Sequence, residues 1–147
     1  TYGNGLQRRS PFPRNPLFPC GHEGSCVQVY FHTDDVTTGD TTLYALAAQD
    51  GTEEWKIRVP SARTSWLPAV ANGVVYLTTG DTLYAYDAVQ GLRNGKPLLT
   101  WQYLYGGSAQ SFKGPPVVAN GFVYLTMVIS GSGVSVALAL PTWPYKH

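Results

Sequence analysis

Charged side chains are scarce in this sequence. Asp, Glu, Lys and Arg make up only 13% of the 147 residues, about half of the roughly 25% usual for soluble domains. The formal net charge of +1 gives no electrostatic case for binding nucleic acid or an anionic membrane. The chain has no apolar run near the ~20 residues of a membrane-spanning helix, and we find no helical period of useful length. A surface this poor in charge favours a chain that is partly buried in an assembly.

Cysteine is also rare, and its two copies lie close together. Cys20 and Cys26 flank a short loop that contains glycine, and two such residues can close a disulfide if the loop folds back. A metal site that also uses His22 and Glu23 is an alternative, but the spacing matches no zinc pattern. Reduced thiols without a structural role are the third reading. We predict the disulfide, which favours an extracytoplasmic location.

Catalytic and metal-binding motifs are absent. The sequence has no GxSxG elbow, no HExxH and no P-loop. His32 lies near Asp34 and Asp35, but this reads as a loop histidine rather than a general base. Asp34, Asp35 and Asp40 lack the spacing of an EF-hand loop. We therefore predict no catalytic residue, no metal site and no cofactor.

The first 26 residues form a segment of their own. Residues 1–19 contain four prolines and two glycines, and proline lacks the N–H that a sheet ladder needs. We interpret this stretch as an extended arm that ends in the Cys20–Cys26 loop. The arm either straps its own domain or binds a partner, because Phe12 and Phe18 would be costly to leave in water.

Short strands joined by tight turns dominate the remainder. In residues 67–88, Asn72-Gly73 joins two apolar runs, and this dipeptide suits the two positive φ values of a type I′ hairpin. A second turn at residues 79–81 leads into another alternating run. Asn120-Gly121 repeats the first turn farther along the chain. Antiparallel strands are therefore expected throughout.

The strand pattern repeats. The segment that begins at Pro68 matches the one at Pro116, 48 positions later, and Trp55 and Trp101 are 46 apart. A repeat of roughly 40–50 residues with about four short strands is typical of propeller blades. We predict an all-β chain of about three antiparallel β-propeller blades, over residues 27–66, 67–114 and 115–147.

The blades resemble those of the PQQ-like, or quinoprotein-type, β-propeller family, which includes BamB-like proteins, and more distantly WD40-like repeats. The resemblance covers about residues 27–143. The middle-strand pattern P-x-V-x-x-G-x-V-Y is carried by Pro68, Val70, Gly73, Val75 and Tyr76, and by Pro116, Val118, Gly121, Val123 and Tyr124. The outer pattern L-Y-A-L-D-A-x-T-G…W is carried by Leu43, Tyr44, Ala45, Leu46, Gly51 and Trp55, and by Leu83, Tyr84, Ala85, Asp87, Ala88, Gly91 and Trp101. Ala47 and Asp50 depart from the usual Asp and Thr, and residues 92–95 look like an insertion.

Tryptophans after the glycine turns are expected to join the blades. A lone blade cannot bury both of its faces, so Trp55 and Trp101, with Trp143 as a weaker third copy, are predicted to dock over the adjoining blade. Trp66 differs because it precedes a proline where loops of the resembled family face the channel or a rim. We name it a possible ligand or partner contact.

Closure is the difficulty for this fold. Propellers have four to eight blades, and an open stack of three leaves edge strands and apolar faces in water. Three resolutions exist. The chain is a fragment of a longer propeller, copies of the chain close on each other, or a partner covers the edges. We therefore expect protein partners, self or hetero, and no lone monomer.

The resemblance leaves three functions open. The first is a non-catalytic scaffold or protein-interaction module, as a subunit or fragment of an extracytoplasmic assembly that is periplasmic, cell-surface or secreted. The second is a structural subunit of an extracellular filament or surface layer. The third is a fragment of a PQQ-dependent alcohol or sugar dehydrogenase. The third is disfavoured because the chain lacks the adjacent cysteines that many such enzymes carry, and Glu53 and Glu54 lie in an outer turn.

Overall fold

Three antiparallel sheets follow one another along the chain. The computed structural model describes residues 27–60, 65–105, 110–129 and 135–142. The first sheet contains β1 (Gln28–Asp34), β2 (Thr41–Ala47) and β3 (Glu53–Val59). The second contains β4 (Ala69–Ala71), β5 (Val74–Thr79), β6 (Thr82–Asp87) and β7 (Leu98–Leu104), with α1 (Ala88–Asn94) before β7. The third contains β8 (Gln110–Phe112), β9 (Val117–Ala119), β10 (Phe122–Ile129) and β11 (Ser135–Pro141). The expected all-β, antiparallel class is confirmed.

Two Asn-Gly dipeptides form the tight turns within the second and third sheets. Asn72 and Gly73 have φ values of 51° and 75° between β4 and β5, and Asn120 and Gly121 have 52° and 78° between β9 and β10. Both residues of a type I′ turn need positive φ, which Asn and Gly tolerate best. The turns set the register that pairs Val70 with Val75 in the second sheet.

In both of these sheets, the pairing along the first edge of the sheet is interrupted. β8 and β9 pair with the same edge of β10, and an isolated bridge from Ser65 to Thr79 extends the pairing of β4 along β5. Prolines lie in each interruption, where the missing N–H breaks the ladder. Pairing to β10 extends back to Gln110 and pairing to β5 back to Ser65, and the blade divisions at residues 67 and 115 stay predictions.

One short helix was not predicted. α1 begins after Asp87, whose carboxylate accepts a hydrogen bond from the Gln90 N–H at 3.1 Å, and ends at Gly95 with a φ of 71°. This is the usual combination of an Asp N-cap and a left-handed glycine C-cap. Only the last three residues of the helix fall within residues 92–95, which the repeat comparison identified as an insertion.

The core consists of two layers, one in each gap between neighbouring sheets. The second sheet is buried on both faces, since all but the first residue of β5 and all but the last of β6 are buried. The first gap is filled by Leu43, Ala45, Trp55, Val59, Val75, Leu77, Tyr84, Tyr86 and Ala88. The second is filled by Tyr76, Leu83, Ala85, Phe112, Val123, Leu125, Met127 and Leu140.

Candidate interaction surfaces

A row of three side chains crosses the first sheet and fixes its outer strand. Tyr30 of β1 pairs with Ala45 of β2, which pairs with Trp55 of β3. Because alanine is small, the indole reaches across it, and the Tyr30 and Trp55 rings are 5.8 Å apart. Trp55 is 2% exposed and lies against Gly91 of α1, where an added Cβ would be 2.7 Å from Nε1. Trp55 thus joins the first sheet to the second.

The second sheet repeats this row at the same register. Tyr76, Ala85 and Trp101 are paired in the same order, and the two aromatic rings are 6.0 Å apart. The Trp101 Nε1–H donates to the carbonyl of Thr142 at 3.4 Å. The first two sheets therefore each use a Tyr–Ala–Trp row to join the outer strand to the following sheet.

Trp66 has a connecting role of its own. Its backbone N–H donates to the Thr78 carbonyl at 3.0 Å, and its indole N–H donates to the Phe112 carbonyl at 3.0 Å. Both polar groups are thus used within the chain, between the second and third sheets. A partner could contact only the exposed part of the half-buried ring.

Several polar groups beside the gap between the first and second sheets are hydrogen-bonded. The Thr41 hydroxyl donates to Asp34 at 2.7 Å and is 2.7 Å from the Ser65 hydroxyl. The Tyr84 hydroxyl donates to the Pro60 carbonyl at 2.8 Å. Buried polar groups that are paired in this way hold neighbouring elements in one arrangement.

The face of the first sheet that points away from the second carries an apolar patch, beside Lys56 and Arg58 of β3, that is uncovered among the described residues. We call it the leading face, and it consists of Val29, Phe31, Tyr44 and Leu46. Val29 is 50% exposed, the other three are half-buried, and the Phe31 and Tyr44 rings stack at 4.9 Å. By register, the equivalents in the second sheet are Val75, Leu77, Tyr84 and Tyr86. Those residues are at most 6% exposed, because the first sheet covers them.

Within the part of the chain that the structure describes, the opposite end of the stack has a second uncovered face. We call it the trailing face of the third sheet, and it includes Phe122, Tyr124 and Ala139. Phe122 is 43% and Tyr124 40% exposed, and β10 alternates between exposed and buried residues along its first six positions. Tyr124 is the equivalent of Tyr76, which the third sheet covers. Both ends of the stack thus present surfaces that are buried inside it elsewhere.

The acidic residues that sequence analysis considered for a metal are engaged in local contacts. The Asp35 carboxylate accepts from the backbone N–H groups of Thr37 and Thr38, which lower its pKa below the ordinary value of 3.8. Asp40 pairs with Arg58 at 2.5 Å, and this hydrogen bond lowers the Asp40 pKa. The described residues contain no group of three or more His, Cys, Asp or Glu that could hold a metal ion.

Burial raises the pKa of four tyrosines, Tyr30, Tyr76, Tyr84 and Tyr86. Desolvation raises the pKa of Tyr30 and of Tyr86 to about 12. Both side chains lie in the gap between the first and second sheets, so ionising either hydroxyl would place charge in an apolar layer.

Seven of the residues singled out from sequence lie outside the described part of the chain, and their roles stay predictions. They are Phe12, Phe18, Cys20, His22, Glu23, Cys26 and Trp143. The leading face was not among the sequence predictions. The match between Val29 and Val75 is visible in the sequence, but only the exposure of Val29 shows that its face is uncovered. In the part of the chain that is described, no helix is long and apolar enough to cross a membrane.

Comparison with known proteins identifies the repeat. Residues 32–133, more than half of the chain, match the family model described as outer membrane protein assembly factor BamB. A comparison with curated proteins found no match. The chain belongs to this BamB-like family, and its three open sheets are blades of a β-propeller that is incomplete within these residues.

Proposed function

We propose that this chain is a non-catalytic protein-interaction module that binds other protein chains through its uncovered blade faces. The observation that carries the proposal is the leading face. Val29 is 50% exposed, whereas its equivalents Val75 and Val123 are 0% exposed beneath a neighbouring sheet. Val29 therefore occupies a position that a neighbouring sheet covers in the other two repeats.

The energetics favour an occupant for this face. Full burial of a large apolar side chain contributes roughly 1.5–3 kcal/mol, but only Val29 is half exposed, and the other three residues of the leading face are mostly buried already. Covering the four would therefore contribute about 1–5 kcal/mol in total, before the entropy lost on association. Since association costs entropy, a partner must make further contacts, and an extended sheet can make more of them than a single side chain.

The kind of partner follows from what covers the equivalent residues. Val75 and Leu77 pack against Leu43, Trp55 and Val59 of the preceding sheet. The leading face therefore fits an apolar antiparallel sheet that carries a tryptophan on its outer strand. Another copy of this chain, or a different protein with the same repeat, would supply such a surface.

The aromatic residues support a binding role over a catalytic one. Trp55, Trp101 and Trp66 are each engaged between sheets. The repeated residues thus serve packing, and we assign no cofactor. The family description, an outer membrane assembly factor, supports an extracytoplasmic setting. An oxidised Cys20–Cys26 pair would fit that setting.

A filament subunit is the second candidate, favoured by the difference between the two faces. The leading face and the trailing face are distinct surfaces, so contact between copies would be head to tail. Such heterologous contacts form rings when the rotation closes and open filaments when it does not. Electron microscopy of concentrated protein separates the two outcomes.

Analytical ultracentrifugation tests the proposal with a matched pair of variants. The chain is sedimented over micromolar to hundred-micromolar concentrations, with copies serving as the available partner. Val29→Lys should weaken association at least tenfold, because it places a charge in the covered face. Val36→Lys is the control, since Val36 is 98% exposed in the β1–β2 loop. A monomer at every concentration, or equal effects of the two variants, would contradict the proposal.

A further inference from the structure

The outer edge of β7 is open although the blade that contains it has all four of its strands. The second sheet is the middle one of the three and is covered on both faces. β7 pairs with β6, and no described strand pairs with its other edge. The open edge therefore does not depend on where the stack ends. It presents unpaired N–H and C=O groups to a further strand.

β3, the outer strand of the first sheet, carries charge along the same edge. The Lys56 Nζ lies 3.6 Å from the Glu53 Oε1, and Arg58 pairs with Asp40 at 2.5 Å. Charged side chains are costly to remove from water, and proteins use them on edge strands to prevent a further strand from pairing. The edge of β3 is thus protected.

β7 lacks this protection. By register, the three charged positions of β3 are occupied in β7 by Leu99, Gln102 and Leu104. No charged residue occurs between Lys96 and Lys113. The repeat therefore has a charged outer strand in one blade and an uncharged outer strand in the next.

The three leucines of β7 are all exposed. Leu98 is 57%, Leu99 42% and Leu104 60% exposed. Single exposed apolar residues are ordinary on a protein surface, but here three lie on one strand of seven residues. An exposed, uncharged and apolar edge strand is a template for pairing with another chain.

We propose that β7 pairs in an antiparallel arrangement with β7 of a second copy of this chain, about a two-fold axis. An axis near the middle of the strand places Leu98 and Leu99 of one copy beside Leu104 of the other. Because the contact occurs twice, all of the exposed leucines are covered. This inference goes beyond the proposed function, since it uses the outer edge of a blade and neither of the uncovered faces.

The absence of charge favours a second copy over a different protein as the occupant. Charge complementarity gives specificity to contacts between different proteins, and β7 has no charge to be matched. In a two-fold pairing, by contrast, residues near the axis face their own kind, and like charges opposite each other are destabilising. The residues at the middle of β7 are Trp101 and Gln102, which are neutral.

The interface is small, and this sets the expected affinity. Two strands of seven residues lie at the low end of specific interface areas, so we expect a weak dimer with a dissociation constant on the order of 10–100 μM. A two-fold contact is also closed, because it uses the same edge of both copies. Association through β7 therefore stops at two chains.

Analytical ultracentrifugation of the Val29→Lys chain tests this contact, because Val29→Lys suppresses association through the leading face. Between micromolar and near-millimolar concentrations we expect a monomer–dimer equilibrium. Adding Leu104→Arg, which supplies the residue type of β3, should weaken the dimer at least tenfold. Leu67→Arg is the matched control, since Leu67 is 69% exposed outside the strands, and it should leave the dimer unchanged. Leu99→Glu, a second variant of the edge, should act like Leu104→Arg.

Hydrogen exchange locates the contact in the same Val29→Lys chain. The β7 amides should exchange more slowly at high than at low protein concentration, whereas the β3 amides should not change. Far-ultraviolet circular dichroism checks that each variant is folded. A Val29→Lys chain that stays monomeric throughout would overturn the inference. Equal effects of Leu104→Arg and Leu67→Arg, or protection confined to strands other than β7, would do so as well.

The two variants fail independently. Species larger than a dimer report on the blade faces, and the dimer that remains in the Val29→Lys chain reports on β7. If Val29→Lys removes the larger species and Leu104→Arg changes nothing, only the inference about β7 fails. If Leu104→Arg removes a dimer and Val29→Lys leaves association as it was, the leading-face proposal fails instead.

Discussion

Replacing Gly91 by alanine should destabilise the chain, although the same change usually stabilises a helix. Gly91 lies in the interior of α1, where alanine is normally favoured over glycine by about 1 kcal/mol. Here the added Cβ would be 2.7 Å from Nε1 and 2.9 Å from Cδ1 of Trp55. These distances are shorter than van der Waals contact, so either the indole or the helix must move.

The magnitude follows from two opposing terms. Adding a methyl group to a packed site costs typically about 1–3 kcal/mol, and Trp55 has little room because it is 2% exposed and lies against Tyr30. Subtracting the helix gain of about 1 kcal/mol leaves a net loss of about 1 kcal/mol for Gly91→Ala. Gly114→Ala is the control. A Cβ at Gly114 has no neighbour within 4 Å, so the change should be neutral or stabilise by up to about 1 kcal/mol.

Urea unfolding of the two variants, followed by a double-mutant cycle, checks this reasoning. The smaller ring in Trp55→Phe should relieve the contact, so Gly91→Ala should cost less in that background, with a coupling energy of about 1–2 kcal/mol. The Trp55 indole N–H has no hydrogen-bond partner, so Phe removes ring volume without breaking a hydrogen bond. A Gly91→Ala chain that is as stable as the parent would refute the argument, as would an unchanged cost in the Phe background.

Three further predictions concern the turns and the titrating groups. Gly73→Ala should lower the free energy of unfolding, measured in urea titrations, by more than Gly121→Ala does. The two glycines have similar φ values, but only at Gly73 would an added Cβ contact a side chain, that of Val89 at 3.0 Å. The Asp40 pKa is lowered chiefly by the hydrogen bond from Arg58. The stability that the carboxylate contributes is therefore present above its ordinary pKa and is lost as the pH falls below that value. Thermal melts at pH 2–6 should show that Asp40→Asn reduces this loss of stability in acid. Burial raises the Tyr86 pKa from 10.0 to about 12, so the stability that this group contributes is complete below pH 10 and is lost as the pH rises toward 12. Tyr86→Phe should reduce this alkaline loss of stability, which is measured by circular dichroism together with tyrosinate absorbance. An unchanged alkaline limb would contradict the assignment.

The repeat and its turns were predictable from sequence because they depend on local chemistry. Asn-Gly between two apolar runs has few conformations other than a type I′ turn, and both copies have the expected positive φ values. Because the two turns are 48 residues apart and lie in matching segments, the strands on either side of them were expected to correspond. Family membership followed from the same residues.

Features that depend on a neighbour in space were not predictable in this way. Gly51 and Gly91 occupy the same place in the repeat pattern, yet Gly51 has a φ of 73° in a turn, whereas Gly91 is helical and lies against Trp55. Only the packing distinguishes the two. The helix that holds Gly91 was missed because it is seven residues long, too short for an apolar period, although its Asp87 cap was a usable signal.

The uncovered surfaces are recognised by comparing the chain with itself. A repeat protein is stabilised mainly by contacts between neighbouring units, so the second sheet, with a neighbour on each side, shows what a complete environment is. Val75 and Tyr76 are buried there on opposite faces, while their equivalents Val29 and Tyr124 are exposed at the two ends of the stack. Ordinary surface apolar residues have no such internal counterpart. A binding function is therefore supported by the positions at which exposure departs from the repeat, rather than by exposure alone.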